Sequence, residues 1–259
     1  MTPDPFENTK AALAELGGQR VWSLMVTLFG DLARAPGDTI QGTVLSEIMA
    51  AMDIRPEAVR VALHRLRNDG WIASVKKGRT SSHSLTAFGR AQSAAASARI
   101  YAEPGSTPDG WQLALLEDGG NMSPADMLSA GFAPLMPRVY IGGATASPVP
   151  GAAMARGEAV PDWLRAQFEP PALARDYAAL HEVLKAAAND IPAETPLSPL
   201  QCAVLRCLVV HNWRRLVLKH PDLPAALYTP DWKGQQCHQL VSTLLHRFPR
   251  PSIDAITDG

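Results

Sequence analysis

The chain of 259 residues contains few cysteines and no histidine pattern typical of a metal site. Its three cysteines, Cys202, Cys207 and Cys237, are too few and wrongly spaced for a disulfide framework or a zinc knuckle. Cys202 and Cys207 lie in an apolar helical stretch, so we expect buried thiols there. The histidines form neither an H-x-x-x-H nor an HExxH pair, and we therefore predict no metal site and no cofactor.

Export and membrane signals are also missing from the sequence. It has no apolar run of about 18 residues, the length that a membrane-spanning helix needs. The N-terminal stretch MTPDPFENTK lacks the cations followed by apolar residues that mark a secretory signal. We therefore expect a cytoplasmic protein. A hydrophobic content of 46% with 19% charged residues is typical of a globular protein, long enough here for two or three domains.

Net charge is nearly absent, but charge is unevenly distributed. The formal net charge of −1 excludes a global basic signature. From residue 55 to residue 99, however, nine cations stand against the two carboxylates of Glu57 and Asp69, so the rest of the chain is acidic. The cations are Arg55, Arg60, Arg65, Arg67, Lys76, Lys77, Arg79, Arg90 and Arg99. This local excess indicates a nucleic-acid module joined to a sensing or assembly part.

The cationic region contains the pattern of one amphipathic helix. Pro56 suits its first position, Glu57 complements the positive end of the helix dipole, and Gly70 ends it. The apolar stripe, at the spacing i, i+3, i+4, i+7, consists of Val59, Ala62, Leu63 and Leu66. The opposite face and the N-terminal end carry Arg55, Arg60, His64 and Arg67. These side chains can donate hydrogen bonds to phosphates or to the edges of purine bases, so we predict that this is a recognition helix.

Helical patterns also precede this helix, and a hairpin pattern follows it. Thr43 is the predicted N-cap of a shorter helix that ends near Met52, and an apolar pattern from Val21 to Phe29 predicts a third helix of the cluster. Residues 71–76 and 80–85 alternate as two strands around Lys77, Gly78 and Arg79, so the predicted hairpin is cationic at its tip. Thr86 would cap a final helix over 87–101. Together these elements predict a winged helix-turn-helix.

Proline and glycine divide the remaining sequence. Residues 103–110 read as a linker. A strand over 111–116, a helix over 124–130 behind Ser123 and a strand over 138–141 follow. Segment 142–161 reads mainly as loops, and a strand within it stays open. Helices are predicted over 171–188, 199–219 and 237–248. We therefore expect an α+β fold that is mainly α, with a winged helix-turn-helix domain over 1–102, a small α+β (ferredoxin-like) middle domain over 103–170 and a helical domain over 171–259.

Several segments resemble the phenylacetate-degradation repressors of the PaaX family. In the DNA-binding part they are Ser23–Asp31, Arg60–Leu66, Asp69–Trp71 and Leu85–Thr86; beyond it they are Gly131–Leu135, Val139–Ile141, Asp222–Pro224 and Asp231–Gly234. The order is that of the family, and nearly the whole chain is covered. One departure is Ser81, Ser82 and His83, which stand where the family pattern has a longer cationic or aromatic run.

The resemblance implies a function. Members are dimeric, cytoplasmic bacterial repressors that bind operators of aromatic catabolic genes and leave when phenylacetyl-CoA accumulates. For this chain the resemblance implies DNA contacts from seven residues: Arg55, Arg60, His64, Arg67, Lys76, Lys77 and Arg79. It also implies an acyl-CoA site outside the DNA-binding part, with no family motif specific enough to transfer residue by residue.

An acyl-CoA needs cations for its phosphates and an apolar slot for its aryl group. The candidate ligand residues are Arg138, Arg175, Arg214, Arg215, Trp111 and Trp213, with Arg165, Arg206, Trp163 and Tyr177 as further members. Core packing is the alternative for each aromatic residue.

Two other functions remain open at this point. One is an acyl-CoA or thioester enzyme on a DNA-binding-like scaffold, with Asp176 and His181 as a pair, although the sequence has no nucleophile elbow or glycine-rich phosphate loop. The other is a protein-interaction adaptor, which would not need a cationic hairpin.

Overall fold

A computed structural model of the chain describes residues 4–17, 20–78, 80–106, 110–119 and 121–257. Five helices and three strands form its N-terminal part. In chain order they are α1 (Pro5–Glu15), α2 (Val21–Leu32), β1 (Ile40–Gln41), α3 (Gly42–Ala51), α4 (Pro56–Asn68), β2 (Ile72–Lys77), β3 (Thr80–Leu85) and α5 (Ala87–Ile100). The three strands form one antiparallel sheet in the order β1-β3-β2.

Helices α3 and α4 follow each other across a short turn. Asp53 adopts a positive φ of 60° in this turn, and Pro56 occupies the first turn of α4 as predicted. Thr43 is not the N-cap of α3, because the helix already begins at Gly42 behind Gln41. The reason is tertiary: Gln41 pairs with β3, and a Cβ on Gly42 would lie 2.6 Å from Ser81 Oγ, so the helix starts directly against the sheet.

The middle of the chain forms a second sheet. Its elements are β4 (Trp111–Leu116), α6 (Pro124–Ser129), β5 (Phe132–Met136), β6 (Val139–Gly143), β7 (Ala152–Gly157) and α7 (Asp162–Phe168). The strands are antiparallel in the order β5-β6-β4-β7. Strand β5 was not predicted, and the segment 142–161, predicted mainly as loops with room for a strand, contains β7. The pattern β4-α6-β5-β6 matches the first four of the six elements of a ferredoxin-like unit, but residues 144–151 form turns where its second helix would stand.

The C-terminal part is helical, as predicted. It consists of α8 (Pro171–Asp190), α9 (Pro199–Val217), a 3-10 turn (Ala225–Leu227), α10 (Lys233–Arg247) and α11 (Ile253–Thr257). Helix α10 begins four residues before the predicted Cys237. The predicted N-caps Thr86 and Ser123 are confirmed, since their hydroxyls accept from the amides of Gly89 and Asp126. Among the described residues, no helix is both long and apolar enough to cross a membrane.

Helix α9 lies at the centre of the molecule. Residues 203–213 are buried without interruption, and α9 packs against α1, α2, α3 and α5 as well as against α8 and α10. This stretch is mostly apolar, as is typical of a helix buried on all sides, and its polar members are Arg206, His211 and Asn212. The main core therefore runs from the N-terminal helices into the C-terminal ones, while the division into three domains stays a prediction. Cys207 and Cys237 are buried, and Cys202 is half-buried.

Two helical glycines give a prediction with a matched control. A Cβ on Gly89 of α5 would lie 2.2 Å from the carbonyl oxygen of Trp71, a backbone atom, whereas a Cβ on Gly30 of α2 would lie 3.6 Å from Ser93 Oγ, an ordinary contact. We expect Gly89→Ala to lower the free energy of unfolding by about 1–3 kcal/mol. Gly30→Ala should raise it by roughly 0.5–1 kcal/mol, because alanine favours a helix interior. Urea denaturation measures both changes, and equal effects would contradict the close packing of α5 on Trp71.

Candidate nucleic-acid interface and effector cavity

The outer face of α4 carries the predicted DNA contacts. Arg55, Arg60, His64 and Arg67 are all exposed, while Val59, Ala62 and Leu66 of the opposite stripe are buried. Arg60 Nη2 donates to Glu57 Oε1 at 2.9 Å, and His64 Nδ1 lies 3.3 Å from Asn68 Nδ2. Both contacts are made at the surface within one helix. The face therefore leaves its cations accessible to a partner.

The structure adds an exposed apolar residue to this face. Val61 is 70% exposed and lies beside Arg60 on α4. An exposed valine among cations can contact a thymine methyl group in the major groove. We did not predict it, because a β-branched residue was assigned no role outside the buried stripe. Its position one residue after Arg60 and off that stripe is the signal that could have found it.

Arg65 behaves differently from the other α4 cations. Its guanidinium stands 5.3 Å from the ring centre of Trp22, and its Nε lies 3.5 Å from a carboxylate oxygen of Asp69. These contacts hold Arg65 against the side of the helix cluster. It therefore serves as a reference cation on the same helix.

The hairpin β2–β3 follows α4 as predicted. Lys77 pairs with Thr80 at its tip, and Lys76 and Val75 are exposed. Arg79 and the side chain of Lys77 lie outside the described residues. His83, by contrast, is buried: its Nδ1 contacts Ser74 Oγ at 2.8 Å. Burial, together with the charge of Arg67, lowers the pKa of His83. The imidazole is therefore neutral near pH 7, and its contact with Ser74 links the two strands of the hairpin.

The predicted phosphate-binding cations are dispersed. Arg214 donates to Thr27 Oγ1 at 2.9 Å between α9 and α2, and Arg215 donates to the Gly17 carbonyl at 2.7 Å. Arg138 precedes β6 and pairs with Asp118 at 3.3 Å, whereas Arg175 is exposed on α8. The structure does not bring these four cations together.

The other candidate ligand residues also lie apart. Trp111 is buried against Gly157, and Trp163 is 52% exposed. Arg206 is buried in a core ion pair with Asp31, and Arg165 pairs with Asp162 on α7. The structure does bring together Trp213 and Tyr177, whose ring centres are 6.3 Å apart.

These two rings line a cavity of about 350 Å³. It lies between the end of α5, helices α8, α9 and α10, and the segment 220–228. Trp232 and Tyr228 stack on each other at 5.3 Å between ring centres, and Trp213 stacks on His238 at 5.2 Å. The aromatic wall consists of Tyr177, Trp213, His220, Tyr228, Trp232 and His238.

Hydrogen bonds within the wall occupy most of its polar groups. Tyr177 hydroxyl contacts His220 Nε2, while His220 Nδ1 contacts the Pro221 carbonyl at 2.9 Å. Trp213 Nε1 donates to the Ile100 carbonyl at 3.0 Å, and His238 Nε2 lies 2.6 Å from the Ala102 carbonyl. Burial lowers the pKa of His220, so its imidazole is neutral near pH 7.

Arg99 completes the cavity wall. Its Nη2 donates to the carbonyl of Val217 and, at 2.6 Å, to that of His220. Its Nε is buried and has no hydrogen-bond partner among the described residues. Sequence reasoning placed Arg99 with the DNA-binding cations, because nothing local shows that α9 and α10 fold over it.

Comparison with known proteins identifies the family. The family model described as PaaX-like protein matches residues 20–89, and that described as PaaX-like protein C-terminal domain matches residues 168–256, more than half of the chain together. The chain belongs to the PaaX family. It is 28% identical over 261 positions to the transcriptional repressor PaaX of Escherichia coli strain K12, an alignment that covers 87% of this chain and 79% of that protein.

A solved structure shares the fold. The uncharacterized protein Rv0674 from Mycobacterium tuberculosis superposes with a TM-score of 0.50 at 17% identity, covering 94% of this chain and 100% of that one. At this identity the likeness concerns the fold alone.

Membership of the PaaX family decides the class of function. The chain is a DNA-binding transcriptional repressor and not an enzyme. Asp176 lies 3.8 Å from Lys219, and His181 contacts Glu182 at 3.0 Å.

Proposed function

We propose that this PaaX-family repressor reads its operator as a winged helix-turn-helix protein. In this proposal α4 is the recognition helix in the major groove and the β2–β3 hairpin is the wing that follows the backbone. The supporting observation is the exposed face of α4, which presents Arg60, His64 and Arg67 beside Val61 while its apolar stripe is buried. Arg55 at the helix start and the hairpin cations extend the contact surface.

The proposal includes the genes and the effector. The repressor controls phenylacetate or related aromatic-acid catabolic genes, and an aryl acyl-CoA such as phenylacetyl-CoA releases it from the operator. It acts in the cytoplasm as a homodimer, because a palindromic operator requires two copies at a fixed half-site spacing. An effector that favours the released form by about 3 kcal/mol lowers operator affinity roughly 150-fold.

A pair of arginine variants on α4 tests the DNA-binding face. Arg60→Ala should weaken binding to the protein's own promoter and reduce the slope of log K against log salt by about one unit, as expected when one phosphate contact is lost. Arg65→Ala is the matched control: it removes the same charge from the same helix, but this side chain stacks on Trp22. Its slope should equal that of the wild type. Equal slopes for all three proteins would overturn the assignment of α4.

The effector is tested separately by thermal denaturation with a panel of acyl-CoA thioesters. A ligand that binds the folded protein raises its Tm. Stabilisation by aryl-acetyl thioesters and not by acetyl-CoA is expected. If no aryl-acetyl thioester raises the Tm, the proposed effector is wrong, whereas the proposed DNA-binding function is unaffected.

A further inference from the structure

We propose that the cavity lined by Arg99, Tyr177, Trp213 and Trp232 is the effector site, and that it binds a planar aryl group carrying a carbonyl or carboxylate oxygen. This inference rests on the proposed function, since it locates the ligand that controls operator binding. It keeps Trp213 and Tyr177 from the sequence-based candidates, and Arg99 takes the place of the candidate cations Arg138, Arg175, Arg214 and Arg215.

The shape and chemistry of the wall favour an aromatic ring. Six rings, from α8, α9, α10, the segment 220–228 and Trp232 just before α10, face one space, and two pairs of them are stacked. Offset and edge-to-face contacts with a further ring stabilise such an arrangement. A volume of about 350 Å³ lies at the lower end of the range of small-molecule sites. It accommodates a phenyl ring with a short arm, so a coenzyme A moiety would have to extend outside.

Arg99 supplies the polar recognition. The donors of Trp213 and His238 are already bound to main-chain carbonyls, and Tyr177 is bound to His220. The Nε of Arg99, which lines the cavity, is a buried donor with no hydrogen-bond partner among the described residues. A buried donor without a partner is costly, and a ligand oxygen would satisfy it. The cavity therefore selects an aryl ligand with an acceptor next to the ring.

Helix α5 connects this cavity with the DNA-binding elements. Arg99 lies in its last turn, and Thr86 at its start donates to the carbonyl of Gly70, between α4 and β2. The 14 residues of α5 span about 21 Å as a continuous helix. A ligand that holds Arg99 therefore acts on the helix that anchors the hairpin.

Filling the cavity tests the site. Ala225 lines the cavity and is exposed, whereas its exposed neighbour Ala226 does not line it. Ala225→Trp in the full chain should weaken phenylacetyl-CoA and phenylacetate binding at least about tenfold, as measured by calorimetry, with operator affinity unchanged in the absence of ligand. Ala226→Trp should behave as the wild type. Release of Ala225→Trp from the operator at wild-type phenylacetyl-CoA concentrations would overturn the cavity assignment while leaving the proposed function intact.

A second measurement tests the role of Arg99. Phenylacetate and phenethylamine have similar shapes but opposite charges, and the acidic Glu103 and Asp222 also line the cavity. We expect phenylacetate to bind and phenethylamine not to bind, and Arg99→Lys, which lacks Nε, to reduce phenylacetate binding. Preference for the amine, or unchanged binding to Arg99→Lys, would refute Arg99 as the acceptor-binding group.

Coenzyme A alone should bind neither the wild type nor Ala225→Trp. Equal binding of coenzyme A and its phenylacetyl thioester would place recognition outside the cavity.

Discussion

Arg206→Ala is expected to lower the free energy of unfolding by about 3–5 kcal/mol. Arg206 of α9 is 5% exposed and donates from Nε and Nη2 to the carboxylate of Asp31 at 2.9 and 3.0 Å. Asp31 of α2 is itself 1% exposed. Removing Arg206 leaves a buried carboxylate whose closest donor is the hydroxyl of Tyr101, at 2.8 Å, because Arg250 stands 3.7 Å away. Urea denaturation measures the loss.

Arg250→Ala is the matched control for this ion pair. Its side chain is 44% exposed, so we expect a loss within about 1 kcal/mol. Arg206 also donates from Nη1 to the carbonyl of Leu245 at 3.0 Å and to that of Phe248, where α10 ends. The pair thus joins N-terminal and C-terminal helices. If Arg206→Ala and Arg250→Ala lower the free energy of unfolding by similar amounts, Arg206 is not the main partner of the Asp31 carboxylate.

Acidification from pH 7 to pH 5 is expected to lower the free energy of unfolding by about 2 kcal/mol through His211 alone. Burial, reinforced by the charges of Arg214 and Arg215, lowers the pKa of His211 to about 3. The unfolded chain, with a pKa near 6.5, therefore binds a proton between pH 6.5 and 3 that the folded chain does not. Stability is retained above pH 6.5 and is lost as the pH falls below it.

The variant His211→Gln separates the contribution of His211 to the pH dependence of stability from the contributions of other titratable groups. Thermal denaturation of the variant across this pH range should show a flatter profile than that of the wild type. A residual slope is expected, because burial also lowers the pKa values of His83 and His220. An unchanged slope would show that His211 is not the neutral, buried group that joins α9 to Thr27 of α2, 3.3 Å away.

The DNA-binding elements are largely predictable from sequence because their signals are local. The stripe of α4, the proline at its start, Gly70 with a φ of 73° and the cap at Thr86 each act within one or two turns. The N-cap of α3 was wrong for the complementary reason, since pairing of Gln41 with β3 decided where that helix begins.

The middle sheet was predicted less completely. Strand β7 contains alanine, glycine and arginine and is mostly exposed, so it has no alternation of buried and exposed residues. It exists because Ala152–Gly157 pairs with β4 along its whole length. Strand β5 contains a proline and a register irregularity at Pro134–Met136, which obscure its pattern.

The sequence by itself determined helix α4 with its cationic face, the hairpin that follows it and the family resemblance, because helix periodicity, capping and charge are encoded in neighbouring residues. Only the tertiary structure decided which cations are free for a ligand. In that structure Arg206 forms a buried ion pair, Arg214 donates a hydrogen bond to Thr27 of α2, and Arg99 lines an aromatic cavity. The physical reason is that burial and hydrogen-bond partners arise when helices distant in the chain pack together, and no local pattern records those contacts.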